Sequence, residues 1–405
     1  MTTRTNALPR AVPAEDVQVP FADCYISAEA QMAALRVLRS GWVTTGKEVA
    51  GFETEFAAYV GAGHAVAVSS CTHGIELALR SFGLPRGSVV LTSTLTFCGA
   101  VQAIVHAGLH PVLVDVDAVT GMPTPATVRD AVRACGQPAA MTVVHWAGDL
   151  ADVPALAEAA GLSLDQVVVD AAHAIGTYAG STPIGSQCGA TCFSFYATKN
   201  LPLGEGGMVT TDDPERAGWL RQARLHGMTA DAWRRYLPGG GWRYDVAEAG
   251  LKANMTDIQA AMGRAQLAHL PAWQRRRAQI AARYDALLAA QPGIGLPHRP
   301  EPGTGTHAWH LYPIRLAAGI ERDEVIAELA GRAIGTSVHF IPVHQLTYFG
   351  RVASIPPGGM TGADALFDQL LSLPIHPRLT DTQIDAVCAA LADITHRRFS
   401  RKGSE

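Results

Sequence analysis

Two residues at neighbouring strand ends carry the chemistry that this chain can be expected to do: an acid, Asp170, closing the run VVVD, and an amine, Lys199, following the run CFSFY. A lysine at the end of a largely buried strand loses its charge cheaply, which makes it a nucleophile able to form an imine with a carbonyl compound. A carboxylate nearby can keep a ring nitrogen protonated. Each has a plainer reading alone, Lys199 as a surface lysine and Asp170 as a cap on the next turn. Together they have a shared task.

The segments around the pair alternate. HAVAV, SVVLT, PVLVDVD, AAMTVVH and QVVVD read as short strands, separated by helical patterns over 73–82, 97–107, 125–134 and 153–160. That order predicts right-handed crossovers and an α/β fold with a mainly parallel central sheet flanked by helices. Ligands of such sheets collect at the carboxyl ends of the strands, where Asp170 stands. TCFSFY and GMVTT add two strands before a helix over 214–225, and a long helical stretch over 255–290, interrupted by Pro271, follows. Beyond it, HLYPIRL and TSVHF as strands and helices over 363–371 and 380–394 predict a small C-terminal α+β domain. The expected organisation is a tail over 1–20, a large domain over 21–265, a small domain over 266–395 and a solvated tail over 396–405.

Pyridoxal phosphate makes four demands on a protein: a lysine for the imine, a carboxylate at the pyridine nitrogen, an anion site, and something flat against the ring. Lys199 and Asp170 meet the first two. In SSCTHGIELAL the hydroxyls of Ser69, Ser70 and Thr72 precede a helix beginning near His73. Unpaired N–H groups and the dipole at such a terminus bind a dianion, and N-capping explains one hydroxyl rather than three. Ser194 offers a further donor, and Phe97, at another strand end, offers a ring. His339 and His344 are candidate substrate-lining residues, with core or loop histidines as the alternative.

Competing motifs fail on single residues. GWVTTGK at 41–47 spells G-x-x-x-x-G-K, but Glu48 stands where a P-loop needs a hydroxyl for magnesium. GAGHAV has Val66 in place of the third glycine of a dinucleotide fingerprint. The histidines form no H-E-x-x-H and the cysteines no paired spacing, so no metal is expected. A formal charge of -4 gives no general attraction to nucleic acid. With 405 residues, 48% of them hydrophobic, the chain can fill a large core and a smaller one. Seven scattered cysteines suit a reducing compartment, and neither a signal-like apolar core nor a membrane-length apolar run is found. A cytoplasmic protein that engages no membrane is expected.

From GWVTTGKEVAGFE to LSLPIHPRLTDTQIDAVCAAL, nearly its whole length, the chain resembles the DegT/DnrJ/StrS family of sugar aminotransferases, a branch of the fold-type I pyridoxal phosphate transferases. TLTFCGAVQAIVHAGLHPVLVDVD, VVVDAAHAIGTYAG, ATCFSFYATKNLPLGEGGMVTTDD and KANMTDIQAAMGRAQL carry the resemblance. It implies that Lys199 bonds the cofactor, Asp170 meets its ring nitrogen, Phe97 and Ala172 lie on its two faces, and His173 lies near its hydroxyl. The turn Ser70-Cys71-Thr72, the backbone at His73 and Ser194 would hold the phosphate, with Asn254 reaching it from a neighbouring subunit. A homodimer with shared active sites is thereby implied. Many members have Asn-Gly-Thr where this chain has Ser70-Cys71-Thr72, which keeps the hydroxyl and alters the turn. Some relatives replace the lysine by histidine and become dehydratases, which Lys199 argues against here. Asn254 before Met255-Thr256-Asp257 looks like members that aminate 4-keto sugars. The expected reaction moves an amino group from an amino acid, glutamate by preference, to a nucleotide-linked 4-keto-6-deoxy sugar. Amination of a 3-keto sugar or an inosose-type cyclic ketone, and a non-catalytic cofactor-binding regulator, are the alternatives.

Overall fold

A computed structural model describes residues 19–229 and 243–402, so most of the expected N-terminal tail lies outside the described residues. Among those residues, no helix is long and apolar enough to cross a membrane. The chain enters through α1 (Ala28–Ser40) and α2 (Lys47–Val60). Ser27 caps α1 by accepting from the Ala30 N–H, and Gly41 ends it with φ 75°. Glu48, which spoils the P-loop pattern, is buried in the first turn of α2 and pairs with Arg36 at 2.7 Å and Arg264 at 2.8 Å. The same helix start lacks a side-chain cap of its own and borrows Asp257, whose Oδ1 accepts from Gly46 N–H at 2.8 Å and Val49 N–H at 3.0 Å. The acid of KANMTD is therefore a brace between two segments far apart in sequence.

The expected alternation follows as β1 (His64–Val68), α3 (Cys71–Arg80), β2 (Val89–Ser93), α4 (Cys98–His106), β3 (His110–Val114), α5 (Pro125–Cys135), β4 (Ala140–Val144), α6 (Val153–Ala160) and β5 (Val167–Asp170). A two-residue pair, β6 (Tyr178–Ala179) and β7 (Thr182–Pro183), precedes β8 (Ala190–Ser194), β9 (Gly207–Thr211) and α7 (Pro214–Ala223). Seven strands form one sheet in the order β1-β9-β8-β5-β4-β2-β3, and β9 alone runs against the others. Its strands are apolar on both faces because each face is covered. Val167 and Val169 join a core that includes Phe52, Phe56 and Leu156, whereas Val168 joins Ile75, Leu79 and Leu220 on the other side. Full burial of one such valine stabilises by roughly 1.5–3 kcal/mol, so moving the register by one residue would forfeit little burial here but would turn Asp170 away.

Both margins of the sheet carry isolated partners. At β1 an antiparallel bridge joins Val68 to Asn254, and Ser69 N–H donates to Ala253 O at 2.7 Å. At β3 a bridge joins Val112 to Ser354, with Leu113 N–H donating to Ser354 O at 2.8 Å and Ser354 N–H to Pro111 O at 3.0 Å.

The remaining chain forms α8 (Asp257–Leu267) and α9 (Leu270–Leu288), with Pro271 in the first turn of α9, where its missing N–H costs nothing. Then come β10 (Ile294–Gly295), β11 (Gly305–Thr306), β12 (Tyr312–Leu316), α10 (Arg322–Ala330), α11 (Phe349–Val352), α12 (Thr361–Gln369), β13 (Leu370–Leu373) and α13 (Asp381–Lys402). A second sheet, β10-β12-β13, lies over a separate core containing Tyr284, Tyr312 and Leu391, while β11 joins β6 and β7. Two expected elements differ. TSVHF is not a strand; within it Ser337 alone is bridged, to Ser372 of β13, and Ser337, His339 and Phe340 face a cavity instead. The helix expected through Leu371 stops at Gln369 because Leu370 to Leu373 pair with β12, a tertiary contact that overrides the helical preference of leucine. The last helix continues through Lys402, into the stretch read as a tail.

Candidate active site

The parallel strands end along one edge of the sheet, and the antiparallel β9 begins there. A cavity of about 610 Å³ opens at that edge. Asp170, the last residue of β5, and Lys199, in the turn beyond β8, both line it. Asp170 is 6% exposed, and its Oδ1 accepts from Ala172 N–H at 3.0 Å and from the Cys71 thiol at 3.8 Å. Burial pushes the carboxyl upward, opposed by the Ala172 amide and the Lys199 charge. Burial brings the Lys199 ammonium down to about 8, with the charge of Asp170 working the other way. Each group thus meets a cost for the charge it carries, and each would gain from a ligand of complementary charge.

At the start of α3, Ser70 is the N-cap and accepts from His73 N–H at 3.2 Å. His73 Nδ1 in turn lies 2.9 Å from Ser69 Oγ and 3.3 Å from Ser70 Oγ, so these two hydroxyls also set the imidazole. Ser70, Cys71 and Thr72 line the cavity; His73 does not. Gly207 makes the turn possible, since a Cβ there would stand 2.6 Å from both Cys71 N and the Ser70 carbonyl carbon. Ser194, at the end of β8, lines the cavity and accepts from Tyr196 N–H at 3.3 Å.

Phe97 leads into α4 and is 59% exposed, yet its exposed ring belongs to the cavity wall, 5.8 Å from that of Phe340. Ala172 and His173 line the cavity as well. His173 Nδ1 accepts from Ala147 N–H at 3.2 Å, and burial holds the ring neutral, helped by the Lys199 charge. His339 lines the cavity with Nδ1 3.0 Å from Ser372 Oγ, and burial lowers it to about 4. His344 stands outside the lining, held by Thr94 Oγ1 at 2.8 Å and Asp364 Oδ1 at 2.9 Å. Asn254 also lies outside it and donates to Thr45 Oγ1 at 2.7 Å in its own chain.

Sequence reasoning missed His310, Thr96, Phe340 and Glu205, which line the same cavity. His310 arrives from the segment before β12 and places Nε2 3.5 Å from Lys199 Nζ. Its neighbour Trp309 has φ 49°, but no pattern of residue types announces the contact. Thr96 Oγ1 is buried in the wall and has no hydrogen-bond partner among the described residues. An orphaned hydroxyl beside a buried amine and a buried acid fits a polar ring compound such as pyridoxal phosphate.

The model of the DegT/DnrJ/EryC1/StrS aminotransferase family matches residues 25–392. The spore coat polysaccharide biosynthesis protein SpsC of Bacillus subtilis (strain 168) is 42% identical over 380 residues, 93% of this chain and 97% of SpsC. Spr1654 of Streptococcus pneumoniae, which carries an assignment as a sugar aminotransferase, is 29% identical in its PMP form, with a TM-score of 0.86 over 94% of this chain and 100% of that one. It is also solved in a PLP form. DesV of S. venezuelae, solved in complex with a ketimine intermediate, is 35% identical, with a TM-score of 0.83 over 93% of this chain and 98% of that one.

Proposed function

The chain belongs to the DegT/DnrJ/EryC1/StrS aminotransferase family and is a pyridoxal phosphate-dependent sugar aminotransferase; from that premise we propose that it moves an amino group from glutamate to the 4-keto group of a nucleotide-linked 6-deoxy sugar. The opening of Lys199 and Asp170 onto one cavity carries the assignment of the reacting groups. The position of amination is supported by KANMTDI at 252–258, in which Asn254 precedes Met255-Thr256-Asp257 as in the 4-keto members it resembles.

When bound, pyridoxal phosphate supplies an electron sink and a carrier for the amino group. Lys199 would hold it covalently, Asp170 would face its ring nitrogen, and Phe97 and Ala172 would flank the ring. The start of α3 at Ser70-Cys71-Thr72, the backbone at His73 and Ser194 would take the phosphate, with His173 near the ring hydroxyl. Lys199 Nζ, whose ammonium gives up its proton far more readily than an ordinary lysine's, would take the proton from the donor's α-carbon and later return one to the sugar carbon that gains the amine. The Asp170 carboxylate would keep the ring nitrogen protonated. His173 and His339, neutral at working pH, wall the site without competing for that proton.

In our reading the enzyme is a cytoplasmic homodimer, with Asn254 directed at the partner's phosphate. Met32, Leu35 and Leu38 on α1, all exposed in the single chain, supply an apolar face for such an association. Incubating the purified pyridoxamine form with nucleotide-linked keto sugars and inososes should restore the aldehyde absorbance with a 4-keto-6-deoxy sugar. Turnover of 3-keto or cyclic ketones alone would refute the position, and no spectral response to glutamate would refute catalysis.

A further inference from the structure

The lysine has a second neighbour whose orientation is fixed from outside the main sheet. His310 is buried, its ring centre 4.4 Å from that of His173 and tilted 39° to it. Its tautomer follows from counting donors. Asn200 Nδ2 donates to Ala308 O at 2.9 Å and to Gln274 Oε1 at 3.1 Å, and Gln274 is itself held by donating to Ile175 O. Asn200 therefore presents its oxygen to His310 Nδ1, 3.2 Å away, and that nitrogen must carry the proton. Nε2 is left with a lone pair, and the atom it meets is Lys199 Nζ at 3.5 Å. The separation is long for a hydrogen bond, as polar contacts in ligand-free sites commonly are, and a small rotation about Cδ–Cε, which swings Nζ, is the movement that could shorten it.

We propose that His310 is a positioning residue for the reaction: its Nε2 accepts from Lys199 Nζ whenever the amine is free, and holds that amine where it can exchange a proton with the substrate carbon. The inference rests on the reading of Lys199 as the reacting amine. Groups facing Lys199 are Asp170, Cys71, His173, His310 and His339; those facing His310 are Lys199, His173, His339 and Arg277. The imidazoles stay neutral through burial, so His310 acts as an acceptor and not as a charge. An acceptor binds an ammonium more strongly than an amine, so removing it destabilises the protonated lysine.

The test uses His310→Phe, which keeps a ring against His173 and removes the acceptor, and His310→Gln, whose Oε1 can still accept. In cofactor-free protein the pH dependence of Lys199 acetylation by acetic anhydride is read by peptide mass spectrometry. His310→Phe should move the midpoint to lower pH by about half a unit or more, with His310→Gln close to the parent. In the loaded enzyme His310→Phe should lower kcat about 100-fold with KM for the sugar nearly unchanged, and His310→Gln should recover most of it. An unmoved Lys199 midpoint in His310→Phe, or equal losses in both variants, would overturn the proposal. Lys199→Ala turnover tests the assignment of the reacting amine separately, because the acetylation profile reports the contact whatever the substrate is.

Discussion

Lys199 in the cofactor-free chain provides a quantitative test of burial as the source of its reactivity. An ordinary lysine titrates at 10.5, and burial brings this one to about 8. At neutral pH about 10% of Lys199 is then the nucleophilic amine, against about 0.03% for the ordinary group, a gain of ~300-fold. Mixing cofactor-free protein with pyridoxal phosphate and following imine absorbance should show a rate that climbs about tenfold per pH unit and bends near pH 8. Dividing by the rate per unprotonated amine of a free lysine derivative at the same pH removes the aldehyde's own pH dependence and leaves the titration of Lys199. Asp170→Asn adds a perturbation of known sign: the Asp170 charge opposes burial at Lys199, so its loss should move the bend to lower pH. A normalised rate that keeps climbing toward the ordinary lysine range, or a bend that moves upward in Asp170→Asn, would refute the reasoning.

Asp170→Asn should also lower turnover at least about 100-fold, measured as steady-state kcat at saturating cofactor, because the ring nitrogen loses its counter-charge. Gly207→Ala places a methyl 2.6 Å from Cys71 N, and should weaken pyridoxal phosphate binding about tenfold or more by fluorescence titration, equivalent to about 1.4 kcal/mol. Asn254→Ala should retain cofactor less well in dialysis, and undiminished retention would count against a phosphate contact from the partner. Burial holds His145 at about 4 against 6.5 unfolded, so the unfolded chain binds the extra proton and stability is lost as pH falls between those values, by about 3 kcal/mol for this residue. Urea midpoints should fall less steeply with acid in His145→Gln, which keeps an acceptor for the Ala151 N–H that His145 Nδ1 now receives at 3.0 Å.

The strands of the main sheet were readable because helices cover both faces, so each strand is a short apolar run bounded by turn residues, as VVVD and HAVAV show. Asp170 and Lys199 stood out because they break such runs at places where packing alone would put something apolar. Phe97 and the Ser70-Cys71-Thr72 turn were readable for the same reason, as strand-end residues ahead of helices. The C-terminal part was less transparent. Leu370 to Leu373 are strand only because β12 lies alongside, and TSVHF has strand-like residues but no continuous partner. His310, Thr96 and Phe340 reach the cavity through crossings between distant segments, and nothing local marks such a crossing. His344 resembled His339 in sequence setting, yet Asp364 on α12 and Thr94 draw it aside.

The bridges at Asn254 and Ser354 occupy backbone groups on the outer strands of the main sheet. A bare outer strand is a template on which another chain can grow a continuous ribbon, the usual first step toward fibrous aggregates. Here that template is interrupted at each margin by the protein's own distant loops. A ribbon growing from either outer strand would first have to displace those loops, so the sheet ends within the molecule that makes it.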